Sequence, residues 1–596
     1  MREKEFTDII DSHKVVLKKY GGVSRLAGYT KLFLVFLLCV ALFLIFTQGF
    51  PTVLILAGSV VLVVLILLWI YHHRIYEKLN YSKSIIAINL RNLARISGKW
   101  AEFDDVGADF INRNHQYSGD LDIVGYKSLF QFLNTTHTWH GRRALADDLL
   151  KPEFSESEIL SRQNAIAELS RDVAFANHME HCFSRIGLHR SAQRLVEELS
   201  TKQVFIKNKP LRILLMFTPL VTATFIAITI IFRLDSLYLV AAFVALTQFV
   251  VWLISTSKTK NYLADVSRLP YKLAVYSEVI ETFKHKNFSS EKLKNLQVSL
   301  GGSKHSAAQA IRELSKISEV VNVRYNGLLW FVLNILLLWD IECSFLFEKW
   351  RTKYAPEAEG WFLALGEFET LLCLSNFPNI CSHACMPTIT KQKTIEAKSL
   401  GHPLISNNAR INNDVLCDDS IFIISGSNMS GKTTFIRTVG INLVLARAGC
   451  FVCAEKMSFP LIEIITSMRV IDNLSEGMST FHAELVRIKS IVELAEKTPD
   501  MIFLIDEIFK GTNSVDRLSG AKTVLAKLNA LGVLGMITTH DLDLCEIENQ
   551  YSRILNYSFS ENYHDNQIHF DYTLKPGKSK TTNAKYLMKM IGLCEE

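Results

Sequence analysis

Three stretches of this chain carry side chains suited to phosphate chemistry. Gly426, Ser427, Asn428, Met429, Ser430, Gly431, Lys432, Thr433 and Thr434 sit between the apolar run Ile421–Ile424 and a helical stretch reaching Ala446. Strand, glycine loop and helix in that order predict a P-loop, in which backbone N–H groups and a helix N-terminus converge on phosphate oxygens. Lys432 is placed to reach the β- and γ-phosphates of ATP, and the Thr433 hydroxyl to ligate Mg2+. The second stretch, Met501–Ile505, delivers Asp506 and Glu507 at its end. Asp506 suits the magnesium shell and Glu507 the polarisation of a water. The third, Val533–Ile537, delivers Thr538, Thr539 and His540, and a histidine there can contact the γ-phosphate.

These groups work together only if the three apolar runs lie side by side, pointing the same way. Such runs, each separated from the next by helical pattern, predict a parallel α/β sheet whose strand ends share one edge. At 596 residues the chain exceeds a single core, so further domains are expected. The net charge of +6 is small for this length and neither requires nor excludes nucleic acid. The eleven cysteines show no disulfide spacing. Cys381 with His383 and Cys385, and Cys450 with Cys453, lack a second ligand pair at zinc spacing, so they read as buried thiols.

Hydrophobic residues make up 49% of the chain, and the excess is concentrated in four runs. Leu32–Thr47 and Val53–Tyr71 form one pair, Leu211–Phe232 and Leu237–Ser255 a second. Each is near the ~20 residues that cross a bilayer core. Basic residues flank both hairpins on the same side, from Lys14 to Lys31 and His72 to Lys78 around the first and at Lys207, Lys209, Arg212, Lys258 and Lys260 around the second. That asymmetry puts the tight turns outside and the rest in the cytoplasm, as an integral protein of the cytoplasmic membrane. A fifth run, Leu328–Leu338, is short, contains Asn334 and ends at Trp339 and Asp340, which predicts a core helix.

From about Gly401 onward the motifs resemble, in order, the ATPase domain of the MutS family. Asn428 and Met429 match its P-loop, with Ser427 and Ser430 replacing the usual proline and glycine; His402, Pro403, Leu404, Asn413 and Asp414 resemble its lead-in. Asp472 to Glu484 resembles the signature loop, and the resemblance implies that Ser479 reaches a partner's γ-phosphate. Gly511 to Asp516 is similar to a dimer-interface loop, Thr539–Asp541 to the switch histidine segment, and Tyr572–Gly577 with Ala584 and Ile591–Leu593 to a dimerising tail. Upstream, Leu129–Pro152, Arg162–Leu169 and Glu367–Leu374 resemble the helical core and its levers. The implied fold is an α/β P-loop ATPase (ABC-like, MutS type) with an all-α lever domain and four transmembrane helices in two hairpins.

The expected divisions are an N-terminal segment 1–31, hairpin 32–74, helical core 75–210, hairpin 211–257, levers 258–400 and ATPase 401–596. No mismatch-reading domain, Phe-x-Glu wedge or connector is expected, and the second hairpin stands where a DNA clamp would interrupt the levers. The resemblance therefore implies a homodimeric, membrane-anchored ATPase without its own mismatch reading. The partner stays open between DNA (double-stranded or branched), a membrane protein and the lipid bilayer. Lys284, His285, Lys286, Lys292, Lys294, Lys304, Arg312 and Lys316 fit either a DNA-contacting surface or a face near an anionic leaflet. The alternative is an ABC-type transporter subunit, because Leu474 to Met478 resembles that signature. Against it stand the short stretch between Lys432 and Asp506 and spans almost without polar side chains. A scaffold that only binds nucleotide has no need of Glu507.

Overall fold

The computed structural model describes residues 2–579 except 48, 50, 152–153, 188–204, 207, 233–236, 265, 269, 302–304, 470–479, 510–513 and 565–566. Two helices of unusual length open the chain, α1 (Arg2–Thr47) and α2 (Thr52–Ile96). They pack along each other as a hairpin, tied below the apolar tips by Ser24 Oγ to His72 Nε2 at 2.9 Å and His13 Nδ1 to Ser82 Oγ at 3.1 Å. The expected breaks at 31/32 and 74/75 are absent. No proline interrupts either flank, so each apolar run continues as one helix into the body, where Phe6, Ile10, Ile75, Leu79, Ile85 and Ile88 are buried.

The helical body continues with α3 (Trp139–Leu150), α4 (Glu156–Arg171) and α5 (Val173–Ile186). Each begins at a side-chain cap, Thr138, Ser155 and Asp172, and Ser155 with Glu158 forms a full capping box. The second hairpin is α6 (Lys209–Phe232) and α7 (Tyr238–Tyr262), which runs past the expected boundary at 257. Then come α8 (Pro270–His285), α9 (Glu291–Gly301), α10 (Ala307–Asn322), α11 (Gly327–Leu337) and the 37-residue α12 (Trp339–Ser375), roughly 55 Å long. By length and composition four helices, α1, α2, α6 and α7, are able to cross a membrane, and a fifth span arises if α10 and α11 count as one bent pair.

The α11 helix is not the core helix expected of Leu328–Leu338. Leu328 is 79% exposed and Leu336 56%, and only Asn334 is buried. The polar residues that suggested a core position are themselves the buried contacts, which leaves the apolar side chains facing outward.

Strands β1 (Thr388–Thr390), β2 (Thr394–Leu400), β3 (Asn413–Asp418) and β5 (Lys456–Pro460) form a four-stranded sheet in the order β1-β5-β2-β3. The α/β domain therefore begins near residue 388, ahead of the expected 401, because β2 pairs with both β3 and β5. The central sheet orders β10-β9-β4-β8-β7-β6, from β4 (Ile421–Ser425), β6 (Glu463–Ser467), β7 (Met501–Asp506), β8 (Leu534–Thr539), β9 (Ile554–His564) and β10 (Gln567–Pro576). All neighbours are parallel except β9 and β10. Residues 572–576, expected in a tail, are thus part of an edge strand; Ala584 and Ile591–Leu593 of that tail lie outside the described residues.

One side of this sheet packs α13 (Lys432–Arg447), whose core runs without interruption into the helical body. A Cβ on Gly440 would lie 2.7 Å from Leu121 and 2.8 Å from Leu504, so the close approach of helix, sheet and body requires glycine there. On the other side α14 (Thr480–Lys497) and α15 (Ser514–Ala530) cover a second cluster. A third, small cluster of Leu215, Trp252, Leu338, Ile341 and Phe345 sits under the outer helices.

Candidate nucleotide site

Strand register assembles the site. Ser425 of β4 lies opposite Thr539 of β8, and Asp506 of β7 opposite Thr538, so the loops after all three strands leave from one edge. There they line a cleft of about 650 Å3 formed by Asn428 to Thr434, Asp506, Glu507, Thr538 and His540. All of these are residues singled out in the sequence, and His402, Asn413 and Tyr572 of the lead-in and tail motifs line the same cleft. Gly426 and Ser427 lie beneath it, where their carbonyls accept from Lys432 Nζ at 2.9 and 2.6 Å. Ser479 lies outside the described residues, as do Gly511–Asn513.

The loop has the form of an anion cradle. Gly426 (φ 149°) and Gly431 (φ 103°) take conformations that favour glycine, and a Cβ on Gly426 would meet Ser430 Oγ and the Phe559 carbonyl, each at 3.0 Å. Ser430 Oγ is buried and has no hydrogen-bond partner among the described residues, an orphan that a ligand oxygen would satisfy. Thr433 Oγ1 donates to Asp506 Oδ1 at 2.8 Å, so a hydroxyl and a carboxylate already converge where a small hard cation would take oxygen ligands. The residues present therefore fit both a triphosphate and Mg2+.

Beside them the backbone is strained. Glu507 (φ 59°) and Phe509 (φ 61°) are left-handed without being glycine, a cost that clusters at functional sites. Thr538 holds this turn from two sides, donating to Asp506 Oδ1 at 2.7 Å and accepting from Glu507 N at 3.1 Å. Buried Glu484 accepts from Phe509 N at 2.5 Å. His540 is held below the ordinary imidazole range, first by burial and then by the Lys432 charge, so it is neutral near pH 7. The opposite wall is apolar, with Leu400, Ile405, Ala409, Ile411, Phe559 and Tyr572 suited to a base and sugar.

Several of these residues escape sequence reasoning. The sequence places Thr538 at the end of β8 but gives its hydroxyl no role until β7 and β8 are paired in register. Asp120 and Asp122 are hidden, over 300 residues upstream. Asp122 pairs with Arg437 of α13 at 2.8 Å and with Arg469 at 2.6 Å, while Asp120 accepts from Thr466 Oγ1 at 2.6 Å and Arg469 N at 2.9 Å. The helical body thereby grips both the P-loop helix and the end of β6, just before residues 470–479.

The basic stretch considered for DNA is partly consumed internally. Lys286 pairs with Asp172, Lys292 with Glu367, and both Arg312 and His285 with Glu281, while Lys304 lies outside the described residues. The cysteines are mostly buried, with Cys381 Sγ 3.2 Å from Cys453 Sγ, and no group of three metal-binding side chains occurs among the described residues.

A parallel sheet with this cradle at its edge defines a P-loop nucleotide-binding protein. Residues 422–596 match the family model for MutS domain V, and residues 111–329 that for MutS domain III. The chain is 29% identical over 231 residues to the DNA mismatch repair protein MutS of Listeria monocytogenes, covering 37% of this chain and 27% of that one. It is 29% identical over 219 residues to that of Carboxydothermus hydrogenoformans (35% and 26%), and 31% identical over 201 residues to that of Aquifex pyrophilus (33% and 23%). The chain belongs to the MutS family. It spans about a quarter of the length of these curated relatives.

Proposed function

We propose that this chain is a membrane-anchored ATP hydrolase of the MutS type, whose cleft is completed by a second copy. The observation that carries the reading is the Thr433–Asp506–Thr538 chain of hydrogen bonds, set between the Lys432 cradle and the strained Glu507 turn. Thr433 and Asp506 would hold Mg2+, which would supply positive charge to offset that of the phosphates. Lys432 exchanges its carbonyl contacts for phosphate oxygens, and Glu507 orients the attacking water and takes its proton. Neutral His540 donates or accepts a hydrogen bond at the γ-phosphate edge without adding charge. Ser479, by family resemblance, comes from the partner. Anchoring is supported by the four apolar helices and the flanking basic residues. The mismatch-repair role in the relatives' names is not carried over, because the match covers so little of their length.

The full chain in nanodiscs is expected to hydrolyse ATP, with Glu507→Gln about 100-fold slower or worse while still binding ATP. Equal rates would remove the catalytic reading. Ser479→Ala and Lys432→Ala, each inactive alone, should recover activity when mixed, since one composite site in the mixed dimer is intact. No recovery at any ratio argues against the shared site. A steeply salt-dependent stimulation by double-stranded DNA would move the partner to nucleic acid.

A further inference from the structure

We propose that α11 is a lipid-binding helix, lying within one leaflet at the foot of the long α12 and carrying that helix's motion to the bilayer. The proposal rests on the membrane-anchored reading above. At 11 residues, roughly 16 Å, α11 is too short to cross the ~30 Å hydrocarbon core. It also turns away from α10 by 109° at a single break, so the two do not form a straight span.

Its polar groups are all directed inward. Asn334 Nδ2 donates to the Trp330 carbonyl at 2.9 Å, and Asn334 Oδ1 accepts from Asp340 N at 3.0 Å. Trp330 Nε1 donates to Asp340 Oδ2 at 3.0 Å, Arg324 pairs with Asp340 at 3.4 Å, and Gln248 Nε2 of α7 donates to the Ile335 carbonyl at 2.6 Å. What remains outward is apolar: Leu328, Leu329, Phe331, Val332, Leu336 and Leu337 are each more than 40% exposed.

Lipid is the occupant favoured by continuity. The α11 helix packs on α6 and α7, the second pair of candidate spans, which likewise expose Leu214, Phe217, Leu253 and Ile254. Tyr325 and Arg324 at its start, and Trp330 against Trp252, place amphipathic side chains where a membrane–water boundary selects them. Water would leave this whole surface unfavourably hydrated. Only Leu338 separates α11 from α12, whose far end is buried beside the nucleotide domain.

Cysteine accessibility tests this in the intact chain, with Cys39→Ala throughout and the parent's residual labelling subtracted. In nanodiscs a membrane-impermeant maleimide should label Leu328→Cys and Leu336→Cys at least about 10-fold more slowly than Val298→Cys, which is similarly exposed at 72% on α9. A nitroxide at Leu328→Cys should be relaxed more by dissolved oxygen than by a water-soluble nickel chelate, as surrounding acyl chains require. Labelling of both α11 positions as fast as Val298→Cys, while Leu56→Cys in α2 stays protected, overturns the α11 proposal and leaves the anchor intact. Fast labelling of Leu56→Cys overturns the anchor itself. A nitroxide at Leu328→Cys that neither dissolved oxygen nor a water-soluble nickel chelate relaxes means that protein rather than lipid covers it, and also overturns the proposal.

Discussion

The two ends of α12 are built differently. Toward its C-terminal end Phe368, Leu371 and Leu374 are wholly buried in the main core, and charged side chains are folded into that packing. Arg162, 2% exposed, donates to the carbonyl of Ala448 just past α13 at 3.0 Å, pairs with Asp148 and lies 3.8 Å from Glu367. Glu369 accepts from the backbone N–H groups of His137 and Thr138 and from the Thr138 hydroxyl, at the start of α3. At the other end Leu338, Ile341 and Phe345 share only the small outer cluster, and Leu346 is 48% exposed. On that same outer stretch Cys343, Phe347 and Trp350 still belong to the main core, so α12 is held along its length and its outer end differs in leaving one side open. What differs is the partner: the inner end packs against α3, α4 and Cys450 just past α13, the outer end against α6 and α7.

The contrast can be broken most severely at Arg162. Arg162→Met leaves Asp148 buried without its cation, and burial already pushes that carboxyl up to about 6. The expected loss is about 3–5 kcal/mol, read as a fall in Tm or in denaturant midpoint. Leu346→Ala at the outer end should cost less than about 1 kcal/mol, since nearly half its surface is already exposed. Similar losses from both would mean that the two ends are held alike.

A smaller, pH-dependent effect is expected at Glu369. Burial pushes its carboxyl up to about 7, above the ordinary 4.5. A raised folded value stabilises below about pH 4.5, and the contribution is lost as pH rises through about 7. Stability of the native chain should therefore decline between pH 5 and 8 relative to Glu369→Gln, by on the order of 1–3 kcal/mol. The same comparison cancels the opposite trend from His140, His181 and His402, whose rings burial holds down near 4. Parallel pH profiles would show that Glu369 does not titrate in this window.

The two ends also differ in how far the sequence reveals them. The P-loop residues are contiguous and chemically distinctive, so Gly426 to Thr434, with Asp506, Glu507 and His540, could be placed from spacing alone. Asp122 acts through pairings between distant segments and nothing in its neighbourhood marks it, while Thr538 is placed at its strand end without any sign of what its hydroxyl does. At the outer end the apolar runs were visible, but where helices end was not. Residues 1–31 read as a separate segment because their composition changes, whereas helix continuity depends on the absence of breakers. For α11 the error was one of direction. Asn334 and Asp340 suggested burial of the whole helix, but they are its anchor, and the leucines around them face out.

The smallest expected effect separates positioning from chemistry within the cleft. Thr538 touches no phosphate-binding atom of the loop, yet its hydroxyl links Asp506 to the backbone of the strained Glu507 turn. Thr538→Val keeps the shape and removes both hydrogen bonds, each worth about 1 kcal/mol net. Freed of that hold, Glu507 samples orientations away from the water, so the hydrolysis rate should fall about 10-fold with little change in ATP affinity. Thr538→Ser, which restores the hydroxyl, should recover most of the rate. A serine variant as slow as the valine variant would assign the loss to packing in the β7–β8 edge, and Glu507 would then be held by the sheet alone.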